Sequence, residues 1–209
     1  MAIQHYIFDI DDTLYLERDY VRSGFDAVGR ALSDERFGAY CWDLFCHGVR
    51  GNTFELALQK YPHSQSVSTL VDIYRTHRPD ISLCDDARAF IESLPAWCGV
   101  ISDGPIASQR AKFQALGLVP WIDCPIFTAE IAAPKPSPVP YILASWALSA
   151  PPQACAYVAD NPAKDFAGAR ACGMATIRIR RPDGLHAEEP SLDDVDREIE
   201  SLRALMRNA

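Results

Sequence analysis

Four short stretches of this chain carry side chains that could do chemistry together. Asp9-Ile10-Asp11-Asp12-Thr13 places three carboxylates within four residues, directly after the apolar run IQHYIF. Alternation along an extended strand would put Asp9 and Asp11 on one side. Carboxylates this close repel one another unless a cation lies between them, and Mg2+ suits a ligand set made only of oxygens. Taken alone, the same residues make an acidic turn in which Asp12 and Thr13 cap a helix. Ser102-Asp103-Gly104-Pro105 closes another apolar run. A hydroxyl beside the free backbone N–H groups of a helix start forms a phosphate cradle, or simply a cap and turn. Lys135, flanked by prolines in Ala133-Pro134-Lys135-Pro136, is one of only four lysines against sixteen arginines. Asp160-Asn161-Pro162-Ala163-Lys164-Asp165 ends a further apolar run, where Asp165 would in any case favour a helix dipole. Each stretch has a structural explanation by itself. Their order has none: acid pair, hydroxyl, lysine and acid pair each stand at the carboxyl end of a successive predicted strand, where open α/β sheets bind ligands.

The elements that must position these groups follow from periodicity and from helix start and stop signals. Strands are predicted over 3–9, up to Ser102, over 125–128, 154–159 and 175–179. Pro105 opens a helix that Gly117 stops. Ser137 and Pro138 read as an N-cap and first helical residue, with the helix running through Trp146. Asn161-Pro162 starts a helix ending near Gly173, residues 180–191 read as a surface loop, and Val195, Ile199, Leu202 and Leu205 give the last segment an apolar helical face. Strands alternating with helices imply a parallel α/β sheet. From Asp9 to Ser102 is 93 positions, against 33 from Ser102 to Lys135 and 25 from Lys135 to Asp160. A strand–helix–strand unit takes roughly 30 residues, so about 60 are surplus. Those residues read as helical, which predicts a helical domain over 16–80 inserted into a sheet domain of 1–15 and 81–209.

Composition narrows the class. The 209 residues are 48% hydrophobic and 23% charged, which excludes a disordered or fibrous chain and supplies a core. A net charge of −8 argues against nucleic acid as a partner. It also means that an anionic substrate would need a local positive device such as a metal ion. No stretch approaches the ~18 apolar residues of a membrane helix, and the acidic N-terminus does not read as a signal peptide. Seven cysteines, odd in number and without a CxxC, fit free thiols in a reducing cytoplasm.

The motifs FDIDDTLY (8–15), ISDG (101–104), KPSP (135–138) and VADNPAKDFAGARACGM (158–174) resemble those of the haloacid dehalogenase-like hydrolases. The resemblance runs from residue 3 to about 179, and covers 16–80 by position and helical character alone. It implies a Rossmann-like parallel α/β core with helices on both faces and a small α-helical cap domain acting as a lid. It also implies a cytoplasmic, Mg2+-dependent phosphatase acting on a small phosphorylated substrate, as a monomer or homodimer that binds neither nucleic acid nor membrane. By the same resemblance Asp9 is the nucleophile that becomes an aspartyl-phosphate, and Asp11 is the general acid–base. Thr13, Ser102, Asp103 and Lys135 are assigned to the phosphate, with Lys135 also neutralising Asp9. Asp9, Asp160 and the Asp11 main-chain carbonyl would hold Mg2+, supported by Asp165. Three positions depart from the usual pattern: Asp12 stands where many relatives have Gly, Asp103 where Asn is common, and Ala159 where Gly often precedes the metal aspartate. Asp11 and Asp160 argue against a dehalogenase, whereas a phosphomutase or a non-catalytic regulatory module remain alternatives. Within the cap, Arg18, Arg22, Trp42, His47 and Arg50 are candidates for setting specificity.

Overall fold

The computed structural model describes residues 3–95, 97–122 and 125–206. Its strands are β1 (His5–Phe8), β2 (Gly99–Ser102), β3 (Ile126–Phe127), β4 (Cys155–Ala159), β5 (Ala175–Ile179) and β6 (Arg197–Ile199). The helices are α1 (Glu17–Ala31), α2 (Glu35–Cys46), α3 (Thr53–Lys60), α4 (Val67–Thr76), α5 (Asp85–Ser93), α6 (Ile106–Ala115), α7 (Val139–Ala147) and α8 (Phe166–Ala171). By contacts the described chain divides into two compact units, one running through Glu17 and resuming at Ser82, the other Arg18–Ile81.

In the first unit the strands form one parallel sheet in the order β3-β2-β1-β4-β5-β6. Central β1 pairs on both sides, Phe8 with Val100 of β2 and with Val158 of β4. Strands covered on both faces read as continuous apolar runs, and every residue of β2 and β4 is buried. Alternation assigns the faces. Ile7, Ile101, Tyr157 and Ala159 pack with Tyr141 and Ala144 of α7 and with Phe166 and Ala169 of α8. On the other face Tyr6 and Phe8 meet Phe90 of α5 edge to face, at 5.0 and 6.2 Å between ring centres. Each fully buried side chain of this size contributes about 1.5–3 kcal/mol. Strand order reverses between β1 and β4, which makes the crevice at their carboxyl ends the natural ligand position.

The second unit has its own core of Val21, Phe25, Val28, Phe37, Phe54 and Leu70 from its four helices. Asp34 caps α2 and Ser66 caps α4 through their side chains. Arg18 and Arg22, one turn apart on α1, hold their guanidinium groups over the Trp42 ring at 5.6 and 5.3 Å. Arg50 lies over Phe45 at 3.8 Å, and His47 turns its Nδ1 to the Asp43 carbonyl at 2.8 Å.

Four local expectations are corrected. The last segment is a strand and a short 3-10 turn (Leu202–Leu205) rather than a helix. Ile177 and Ile179 of β5 offer an open edge, and pairing with Arg197 and Ile199 satisfies it. Asp196 accepts the Thr176 N–H at 2.9 Å and so fixes the register. α8 begins at Phe166, not at Pro162, because the Asp165 carboxylate accepts the Asn161 N–H at 3.0 Å and holds residues 162–165 as a turn. α7 begins at Val139, with Pro138 as its cap and the Ser137 hydroxyl accepting the Val139 N–H at 3.4 Å. Residues 180–191 are not simply surface, since Arg181 is buried. Among the described cysteines none forms a disulfide, and Cys124 lies outside the described residues.

Candidate active site

β1 ends at Phe8, and the next residue, Asp9, is still hydrogen-bonded to the sheet, its N–H donating to the Val158 carbonyl at 3.0 Å. β4 likewise delivers Asp160 one residue past its end. Oxygens of Asp9, Asp160 and Asp165 lie within 4.8 Å of one another, and all three residues are buried. The loop between β3 and α7 brings Lys135 to them. Its ammonium donates to Asp9 Oδ1 at 2.7 Å and Tyr157 Oη at 3.1 Å, and lies 2.6 Å from Asp165 Oδ1. Three acceptors therefore meet the three protons of the ammonium. Burial opposes the charge on Lys135, but Asp165 and Asp9 more than offset it and hold its pKa well above the usual lysine value.

Three ionised carboxylates against one ammonium would leave this buried cluster with two negative charges in excess. Burial, with the Lys135 charge working against it and Asp165 with it, pushes the Asp9 carboxyl up to about 6. Burial and then the facing Asp9 and Asp165 raise Asp160 well above the carboxylate range. An oxygen-only donor set with an excess of two negative charges fits a divalent cation such as Mg2+. Thr13 Oγ1 is a buried hydroxyl without a hydrogen-bond partner, which suits it to an oxygen of a bound phosphate.

Asp11 faces a different environment. Its carboxylate is not part of the acidic triad. Lys112 of α6 donates to Oδ1 at 2.7 Å and to Oδ2 at 2.9 Å, and the Tyr15 hydroxyl also donates to Oδ1. Burial alone would raise Asp11, but the charge and hydrogen bonds of Lys112, with that of Tyr15, outweigh it and hold the carboxyl below its usual value. Ser102, at the end of β2, donates its hydroxyl to Gln109 Oε1 at 2.9 Å. Asp103, which the resemblance assigns to the phosphate, accepts with its carboxylate the Thr128 hydroxyl and, at 3.3 Å, the Lys135 N–H, and so braces the loop that carries Lys135.

Several residues of the site give no motif in the sequence. Tyr157 reads as strand core, and Lys112 and Gln109 as surface positions of a helix. One signal for the latter was present: α6 has no apolar stripe, and its buried face is Ser108, Gln109, Lys112 and Phe113. Two arginines tie the segment after β5 to the site. Arg178 donates from Nε to the Asp160 carbonyl at 3.0 Å and from Nη2 to the His186 carbonyl at 2.8 Å. Arg181 donates to the Thr13 carbonyl at 2.8 Å and to Asp86 at 2.9 Å. Asp12, at φ +49, accepts the N–H groups of Glu17 and Leu185, each at 2.8 Å. Asp is among the residues that tolerate this left-handed geometry, and its carboxylate gives the position a bracing role that Gly would lack.

Residues 3–173 match the haloacid dehalogenase-like hydrolase family. The chain is 27% identical to a glyceraldehyde 3-phosphate phosphatase of Methanopyrus kandleri, over 98% of this chain and 96% of the relative. It is 26% identical to hexitol phosphatase A of Escherichia coli K12, over 98% and 94%. Among solved structures it resembles the putative hydrolase YfnB of Bacillus subtilis, with a TM-score of 0.72 at 16% identity over 98% and 97% of the two chains.

Proposed function

We propose that this chain, which belongs to the haloacid dehalogenase-like hydrolases and is a phosphatase, cleaves a small phosphorylated metabolite with Mg2+ through a phosphoryl group carried on Asp9. The observation that carries the reading is the buried cluster of Asp9, Lys135, Asp160 and Asp165 at the carboxyl ends of β1 and β4. Relatives named for glyceraldehyde 3-phosphate and for a hexitol phosphate support a small phosphorylated substrate.

In the first step an Asp9 carboxylate oxygen bonds to phosphorus while the bond to the leaving oxygen breaks, and Asp11, which must first take up a proton because Lys112 holds it as a carboxylate in the resting structure, supplies that proton to the leaving oxygen. In the second, water attacks the phosphorus of the aspartyl-phosphate, Asp11 takes its proton, and Asp9 returns as carboxylate with inorganic phosphate. Lys135 holds Asp9 in place and offsets charge on the transferring group. Thr13 offers a free hydroxyl donor to its oxygens, and Ser102, whose one proton goes to Gln109 in the resting structure, would turn it to them when phosphate is bound. Asp9, Asp160 and the main-chain carbonyl of Asp11 would hold Mg2+, with Asp165 in support, and the ion supplies charge neutralisation at the phosphoryl oxygens.

The test uses p-nitrophenyl phosphate. Release of nitrophenolate and inorganic phosphate in equal amounts is expected with Mg2+, with loss of turnover on chelation. Ca2+ should substitute poorly, because its looser coordination misplaces the in-line geometry. Undiminished turnover in metal-free buffer, or full activity of Asp9→Asn, would refute the reading.

A further inference from the structure

We propose that Lys112 and Gln109 of α6 are positioning residues for the proton-transfer step, fixing the Asp11 carboxylate and coupling it to the Ser102 hydroxyl. The inference rests on the reading of Asp11 as the acid–base. Lys112 and Gln109 are 3% and 4% exposed, although lysine and glutamine are seldom buried without a dedicated partner. That partner is Asp11, whose oxygens both accept from the Lys112 ammonium, at 2.7 and 2.9 Å, while Gln109 Nε2 stands 3.5 Å from Oδ2.

The amide of Gln109 can face only one way. In the resting structure, where Lys112 donates to both Asp11 oxygens, Asp11 only accepts hydrogen bonds, so the NH2 group faces Asp11 and the carbonyl faces Ser102. Ser102 then donates, at 2.9 Å. One amide thus links the phosphate-side hydroxyl to the proton donor. The backbone is built to admit it: at Gly104, with φ +133, a Cβ would stand 2.6 Å from Gln109 Nε2. A side chain there would both strain the turn and displace the amide.

Proton transfer needs hydrogen-bond reach of about 2.6–3.2 Å, and a displacement near 1 Å can cost about a hundredfold. The pair should therefore matter in proportion to the leaving group's need for a proton. Single-turnover phosphorylation of the full-length enzyme with saturating Mg2+ gives the readout, comparing p-nitrophenyl phosphate with an alkyl monoester such as glycerol phosphate. Lys112→Met is expected to slow the alkyl ester about ten- to a hundredfold and the aryl ester less than about threefold. Gln109→Leu should give a smaller loss with the same preference, and Lys112→Arg should restore most of the alkyl rate. In an Asp11→Asn background Lys112→Met should add nothing, since the effect passes through Asp11.

Equal slowing of both esters, faster alkyl cleavage, or an additive loss in the Asp11→Asn background overturns the proposal. If Lys112→Met does not fold, the Gln109→Leu and Lys112→Arg ratios decide in the same sense. Asp9→Asn separates the two readings. Activity retained there defeats the phosphatase mechanism itself, whereas a dead Asp9→Asn with leaving-group-blind α6 variants defeats only this inference.

Discussion

Asp9 and Asp11 are two residues apart and carry the same functional group, yet their surroundings push them in opposite directions. Burial, resisted by Lys135 and reinforced by Asp165, holds Asp9 up at about 6, while Lys112 and Tyr15 outweigh burial at Asp11 and hold it down. The two should fail differently when changed. Asp9→Asn has a neutral amide where the nucleophile stood and should form no phosphoenzyme. Asp11→Asn keeps the attacking carboxylate but cannot give or take a proton. A nitrophenolate leaving group needs little protonation, so its first step should survive in Asp11→Asn while water attack stays slow, and aspartyl-phosphate should accumulate as a burst. Rapid quench followed by peptide mass spectrometry reads both outcomes. Phosphate mapped to Asp11, or found on the Asp9→Asn protein, would show the roles to be wrongly assigned.

The elements that aim these side chains meet at close quarters, and α8 is the clearest case. At Gly168 a Cβ would lie 2.3 Å from the Pro136 carbonyl oxygen and 2.6 Å from the Tyr141 ring. The loop carrying Lys135 thus rests directly on the helix backbone. Gly168→Ala must separate the two, and overpacking of this kind costs about 1–3 kcal/mol, or a fall in Tm of about 2–12 °C for a chain of this size. Because the strain falls on the Lys135 loop, kcat should drop more than KM changes. An unaltered Tm and kcat would mean that α8 and the loop are not in contact in solution. This contact could not be read from the sequence, where Gly168 is one glycine in a helical pattern. What was legible has a local cause: β1, β2, β4 and β5 are apolar runs ending in polar residues, and Asp9, Ser102, Lys135 and Asp160 stand at their ends or in the loops between. What was not legible depends on tertiary pairing. Arg197–Ile199 keeps a helix-like apolar spacing, yet the open edge of β5 claims it. Lys112 looks like any helix lysine until Asp11 is seen beneath it, and Arg178 and Arg181 belong to the site only because the chain after β5 turns back over Asp160 and Thr13.

At the scale of the whole molecule, an acidic chain of net charge −8 folds around a buried acidic cluster, and stability must respond to whatever neutralises it. Asp9 moves from an ordinary 3.8 to about 6 on folding, and Asp160 is raised as well. Between those values the metal-free folded protein binds more protons than the unfolded chain, so the Asp9 contribution falls as pH rises from about 4 to about 6, and the raised Asp160 adds a loss of the same sign. Below the unfolded pKa both states are protonated and the penalty is absent, whereas above about 6 the Asp9 part of it is complete. A divalent cation competes with those protons and should stabilise the protein more at pH 7.5 than at pH 5. At a hundredfold excess over its Kd a bound ion adds about 2.7 kcal/mol, which for a chain of this size corresponds to about 5–10 °C in Tm. Thermal unfolding with and without 10 mM Mg2+ at the two pH values measures this directly. Asp160→Asn removes one of the repelling carboxylates. It should therefore melt higher than the native chain in metal-free buffer at pH 7.5 and lose most of the Mg2+ shift. A Mg2+ shift that is absent, or larger at pH 5 than at pH 7.5, would mean that Asp9 and Asp160 do not form a cation site.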